Sequence, residues 1–181
     1  MGDQKNEPVS QPRLHDADPE KLMQWWASLD SNRGDRARLS RAESPEDVLM
    51  TPAFHHFLHV MPERWATRDH LYPSAMVAAL LSHIRTASQK HSFAASLAQG
   101  DKPVMSELRF QQLLKSRTPE ELFRRLIRAI RLLERSVNVV SLTQGVLRWY
   151  DEYLYGPDTN PARRLSVDWA RDYFSPEKLA K

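Results

Sequence analysis

In 181 residues the chain carries 26 basic and 23 acidic side chains, a net charge of +3, and no cysteine. The missing thiols exclude disulfides, thiolate metal sites and cysteine nucleophiles, and no run approaches the roughly 18 apolar residues of a membrane span. With 41% hydrophobic residues and a mean hydropathy of -0.60, composition predicts a soluble protein with a thin core, large enough for one compact domain or two small helical bundles.

The first 17 residues are polar, include Pro8 and Pro12, and read as a disordered tail. They hold no apolar signal segment, so the predicted setting is the cytoplasm. Asp18, Pro19 and Glu20 then open a helix whose apolar residues are Leu22, Met23, Trp25, Trp26 and Leu29. Residues 32–34 are expected to stop it, and a short basic helix is predicted over residues 35–42, with Arg36, Arg38 and Arg41. Ser44-Pro45-Glu46 and Pro52 mark two more helix starts, the second carrying Phe54, Phe57, Leu58 and Val60. Residues 73–87 read as a long apolar helix, and no segment alternates as a strand does.

The polar stretch Gln99-Gly100-Asp101-Lys102-Pro103 is the best internal boundary. It divides the chain into an N-terminal helical bundle, residues 18–99, and a C-terminal one, residues 104–181. Beyond it, helices are predicted over residues 106–115, from Thr118, over 141–155 and over 162–174. Thr118-Pro119-Glu120-Glu121 is a strong start: a capping Thr, Pro in the first position and Glu at the third. The loop at 156–161, with Gly156, Pro157 and Pro161, breaks the pattern. The expected fold class is all-α.

The helix after Thr118 carries the strongest functional signal. At about 100° per residue, Leu122, Phe123, Leu126, Ile127, Ala129, Ile130 and Leu133 share one broad arc. Arg124, Arg128, Arg131 and Arg135 fall on a narrow opposite arc. Like charges at this spacing repel by a few tenths of a kcal/mol; a polyanion relieves that cost, since each phosphate contact releases a condensed counterion. Arg109, Lys115 and Arg117 flank the stripe. Residues 106–135 hold eight basic and four acidic side chains, a surplus above the +3 of the whole chain. A solvated basic face without a partner is the plainer alternative; arginine's planar fork, which suits phosphate, favours nucleic acid. Further basic clusters are Arg33, Arg36, Arg38 and Arg41, and Arg163, Arg164 and Arg171. No zinc-finger, RNP or basic-zipper pattern is present, so sequence-independent backbone contact is the expected mode.

Other constellations read as structural. His55 and His59 share a helix face and with Glu63 could hold zinc, but His56 stands where the HExxH glutamate belongs. Surface or half-buried histidines are the expected reading, with no metal and no cofactor. The chain lacks a Walker A loop, G-x-S-x-G and G-x-G-x-x-G. Acidic pairs such as Asp151/Glu152 are assigned to solvation, and Trp26, Trp149 and Trp169 to the core.

Several motifs in order carry a family resemblance: Trp26-x-x-Leu29, Arg38-Leu39-Ser40-Arg41, Pro52-Ala53-Phe54, Ser106-Glu107-Leu108-Arg109-Phe110, the arginine helix, Trp149, and Trp169-Ala170-Arg171-Asp172-Tyr173-Phe174. This order resembles the CasB small subunit of the type I-E CRISPR Cascade complex over about residues 18–174. The resemblance implies a non-enzymatic, two-bundle protein in antiviral defence. It implies a homodimer beside other Cascade subunits, a guide crRNA, and target and displaced DNA strands held in an R-loop, with no membrane partner. The residues matching family positions are Arg41, Arg109, Lys115, Arg124, Arg128 and Arg131, with Arg163 and Arg164 following beyond the loop. Ser40 stands where some relatives carry a basic residue. Two other classes stay open: a stand-alone helical DNA-binding regulator, which would need a base-reading helix, and a small hydrolase built on His55, His59 and Glu63.

Overall fold

A computed structural model describes residue 14 and residues 16–175. Most of the predicted tail lies outside these residues; Leu14 and Ala17, placed in it by composition, are buried. Ten α-helices and one pair of two-residue strands are seen among the described residues, which makes the protein all-α as expected.

Helix α1 (Pro19–Ser28) follows Asp18 with Pro at its first position. Helix α2 (Arg33–Ser40) begins within the predicted stop, because Gly34, in open space, is accepted in its first turn. Helix α3 (Pro45–Val48) has a reciprocal capping box between Ser44 and Asp47. In α4 (Pro52–Val60) the Thr51 hydroxyl accepts the Phe54 N–H. Two 3₁₀ turns then lead into α5 (Leu71–Ser82).

From Pro73 to Ser82 every residue of α5 is buried. A helix apolar on all sides must be enclosed on all sides, and α2, α3, α4, α8 (Pro119–Leu132) and α9 (Val139–Tyr155) surround it. Each fully buried Leu or Met contributes about 1.5–3 kcal/mol. Below α4, Trp25 meets the edge of Phe57 at 4.6 Å, and Phe57 meets Trp65 at 5.7 Å.

Helix α6 (Phe93–Leu97) precedes the loop at 99–103, and α7 (Glu107–Leu114) follows it. Packing crosses that loop. Helix α10 (Leu165–Phe174) lies on α6, with Trp169 against Phe93 at 5.5 Å, and the Ser92 hydroxyl donates to Asp172 at 2.8 Å. Tyr173 stacks on Phe110 at 4.0 Å while its hydroxyl donates to the Met105 carbonyl. Trp169 reaches α9 only because residue 145 is glycine: a Cβ there would lie 2.6 Å from the ring.

Two sequence expectations are corrected. The apolar helix ends at Ser82, not near residue 87, and residues 86–87 form strand β1. It pairs in parallel with β2 (Ser136–Val137), in the register Thr86 to Ser136. Two-residue strands are too short to show alternation, and their pairing is a tertiary contact. The arginine stripe is also shorter than predicted. Helix α8 ends at Leu132, and Glu134 and Arg135 turn back with φ of 54° and 62°. That left-handed pair is held by N–H donation from Arg135 to the Ile130 carbonyl and from Ser136 to Leu133. Arg135 therefore leaves the helix.

Candidate nucleic-acid interface

The geometry of the stripe follows from how α7 meets α8. Thr118 caps α8 through the Glu121 N–H, and the Glu121 carboxylate accepts the Arg117 N–H at 2.8 Å. That backbone bond first, with Arg125 adding its charge, holds the Glu121 carboxyl below its ordinary range. The buried face is the one the sequence predicts, with Leu122, Phe123, Leu126, Ala129 and Ile130 inside.

Arg125 works as a strut. It pairs with Glu121 at 2.7 Å and donates to the Gln112 carbonyl and the Ser116 hydroxyl. These bonds fix α8 against the end of α7 and open a groove of about 440 Å³ between the helices. Arg109 of α7 faces Arg128 and Arg131 of α8 across it, over a floor of Met105, Leu113 and Leu132. Arg109, Arg128 and Arg131 are exposed and form no ion pair among the described residues. The groove therefore holds uncompensated positive charge over an apolar base, an arrangement that attracts a polyanion.

The other predicted residues lie around this groove or away from it. Arg124 is exposed on α8 one turn before Arg128, outside the groove lining. Lys115 is the exposed residue that ends α7. Arg117 borders a separate cleft with Trp149, Tyr153 and Trp169. Arg41 ends α2 and lines a pocket on the other half of the chain. Arg163 and Arg164 sit at the 3₁₀ turn before α10. The Arg163 carbonyl accepts from Arg148, and Arg164 Nε donates to the Asp158 carbonyl at 3.0 Å. The fold thus brings Arg109, Arg128 and Arg131 together and leaves Arg41, Arg163 and Arg164 apart.

Arg85 has no sequence signal, being a single arginine after an apolar helix. The strand pairing places it: its N–H donates to the Arg135 carbonyl at 2.8 Å. Beneath it lies His83, which is 4% exposed. Burial, then the charges of Arg131, Arg135 and Arg85, lowers the His83 pKa from 6.5 to about 4. The unfolded chain regains the ordinary value and binds a proton between those limits that the folded chain refuses. Stability is therefore fully present above pH 6.5 and falls as pH drops toward 4, by about 2–3 kcal/mol for a shift of this size. Urea denaturation across that window should show a weaker pH dependence for His83→Gln than for wild type, and equal slopes would count against a buried neutral imidazole.

The described residues contain no group of three metal-ligating side chains. His56 is bonded to Asp35 at 2.6 Å, and His59 Nδ1 lies 2.7 Å from the His55 carbonyl. No helix among the described residues is long and apolar enough to cross a membrane.

An all-helical protein with an arginine-lined groove is the class that this geometry defines. The family model of CRISPR-associated protein Cse2 matches residues 35–174, most of the chain and all of the groove. The chain belongs to this family, the CasB small subunits of type I-E Cascade. Its place is with the other Cascade subunits. The comparisons with curated proteins and with solved structures give no match.

Proposed function

We propose that this chain is a non-catalytic clamp on nucleic-acid backbone that stabilises the R-loop of a type I-E Cascade complex in the cytoplasm. Two copies would lie beside the guide crRNA and hold the unwound target, the displaced DNA strand above all. The observation that carries this reading is the groove in which Arg109, Arg128 and Arg131 converge without acidic partners. Arg124, Lys115 and Arg117 extend the basic surface beside it, and Arg41, Arg163 and Arg164 offer contacts farther along a strand. Exchange of duplex for heteroduplex is nearly balanced, so a few phosphate contacts of about 1 kcal/mol each suffice to tip it.

The test compares target-DNA affinity of the guide complex assembled with and without this chain. A loss of affinity of about tenfold or more without it is expected at low salt, shrinking as salt rises. Equal affinity in both complexes would overturn the proposal. Sequence-specific duplex binding by the isolated chain would instead favour a stand-alone regulator.

A further inference from the structure

Helix α2 carries a basic pocket that the groove does not explain. Arg36 is buried, its side chain 6% exposed, and Nη1 meets Asp30 at 3.2 Å. Its Nε and Nη2 are buried with no hydrogen-bond partner. Burial, then the neighbouring Arg85 charge, holds the Arg36 guanidinium below its ordinary value, and Asp30 offsets this only in part. A buried guanidinium with two idle donors is costly unless something accepts from them.

What Arg36 faces is a pocket of about 640 Å³, lined also by Arg33, Ser40, Arg41 and Arg85. Four guanidinium groups meet there against one carboxylate, and that carboxylate, Asp30, is 72% exposed at the rim. The pocket is built from separate parts of the chain. Arg33, Arg36 and Arg41 come with α2, and Arg85 is delivered by the pairing of β1 with β2. Like charges gathered around an idle buried donor are stable together when an anion lies among them, and the arginine fork presents paired donors to two oxygens of a tetrahedral oxyanion.

We infer that this pocket is a second phosphate seat, distinct from the groove between α7 and α8, in which Arg36 and Arg85 grip one backbone phosphodiester of a nucleic-acid strand. Arg36 forms the floor and the exposed Arg85 a wall; Arg33 and Arg41 complete the rim. The seat rests on the reading of this chain as a nucleic-acid clamp only for the source of its phosphate. The oxyanion chemistry stands apart from it. A strand's phosphate is favoured over a partner subunit's carboxylate because four guanidinium groups against one carboxylate leave a surplus that successive phosphates of a strand neutralise and a single carboxylate does not.

The experiment uses the full chain with three probes at matched ionic strength: inorganic phosphate, acetate and a thymidine oligonucleotide, each referenced to sodium chloride. Binding is read from the Arg36 Nε–H resonance and from the melting temperature. Phosphate is expected to move the resonance and raise the melting temperature, and acetate to do so far less. The oligonucleotide should move the same resonance. Arg85→Gln, at an exposed position that leaves the core intact, should weaken phosphate binding about tenfold or more, as loss of a charge-assisted hydrogen bond does. Arg36→Met, which keeps the side-chain bulk, should abolish it. Charge reversal in the α7–α8 groove should leave phosphate binding here unchanged, so failure of the clamp reading and failure of this seat are separable. An Arg36 resonance that ignores phosphate overturns the seat. Acetate acting as strongly as phosphate assigns the pocket to a protein carboxylate and overturns the phosphate assignment. Phosphate binding without oligonucleotide binding makes it a free-anion site and overturns the strand assignment.

Discussion

The triple variant Arg124→Glu, Arg128→Glu and Arg131→Glu is expected to lower target-DNA affinity of the assembled guide complex about 100-fold, most of the way to the level of the complex lacking this chain. Each removed phosphate contact is worth about 1 kcal/mol, and each new carboxylate adds repulsion of the strand. The salt dependence should flatten as well, by about 2 in the log–log slope for three single-strand contacts. Folding should survive, because all three side chains are exposed and the apolar face of α8 is untouched. Glutamate near the helix end at position 131 opposes the macrodipole and costs only some tenths of a kcal/mol. Arg125 stays, since its bonds to Glu121, Gln112 and Ser116 hold α7 against α8. A variant that assembles and binds like wild type would make the stripe a solvated face.

Trp65→Ala is expected to be the most destabilising single change, costing about 3–5 kcal/mol and leaving little folded chain in moderate urea. Trp65 is fully buried. Its indole N–H donates to Asp18 at 2.7 Å, and its carbonyl accepts from the Ser74 hydroxyl. Asp18 also pairs with Arg64. The ring thus holds the start of α1 and props the edge of Phe57, while the backbone carbonyl of the same residue ties it to α5. Removing it leaves a cavity and frees a partly buried carboxylate from one of its donors. Trp65→Phe keeps most of the volume and loses the N–H, so it should cost about half as much. The two midpoints in equilibrium denaturation check both values, and a loss below 1 kcal/mol for the alanine would show that the site collapses around the gap.

Much of the fold was legible because local rules and tertiary packing agree here. Pro after a capping residue marks α3, α4 and α8 within a residue or two, and period 3.6 identifies which side of α8 is buried. The helix limits failed where the deciding interaction is distant. Residues 83–87 leave the helix because Arg85, Thr86 and Ser88 donate N–H groups to residues 135 and 137, some 50 positions away. Arg135 leaves the stripe through a local left-handed turn closed on the Ile130 and Leu133 carbonyls, and its own carbonyl then accepts from Arg85 and Thr86.

The amino-acid sequence by itself determined the all-helical class, the family, the arginine-rich face of α8 and the lack of thiol chemistry. These depend on residue type and on spacing within one helix, where geometry is set by 3.6 residues per turn. Only the tertiary structure decided which arginines meet. Arg109 joins Arg128 and Arg131 because Arg125 ties α8 to α7, and Arg85 joins Arg36 because a two-residue strand pair carries it there. Nor could the sequence distinguish Arg36, buried with idle donors, from its exposed neighbours Arg33 and Arg38. Burial is a property of what packs over a residue, and the segments that cover Arg36 come from elsewhere in the chain.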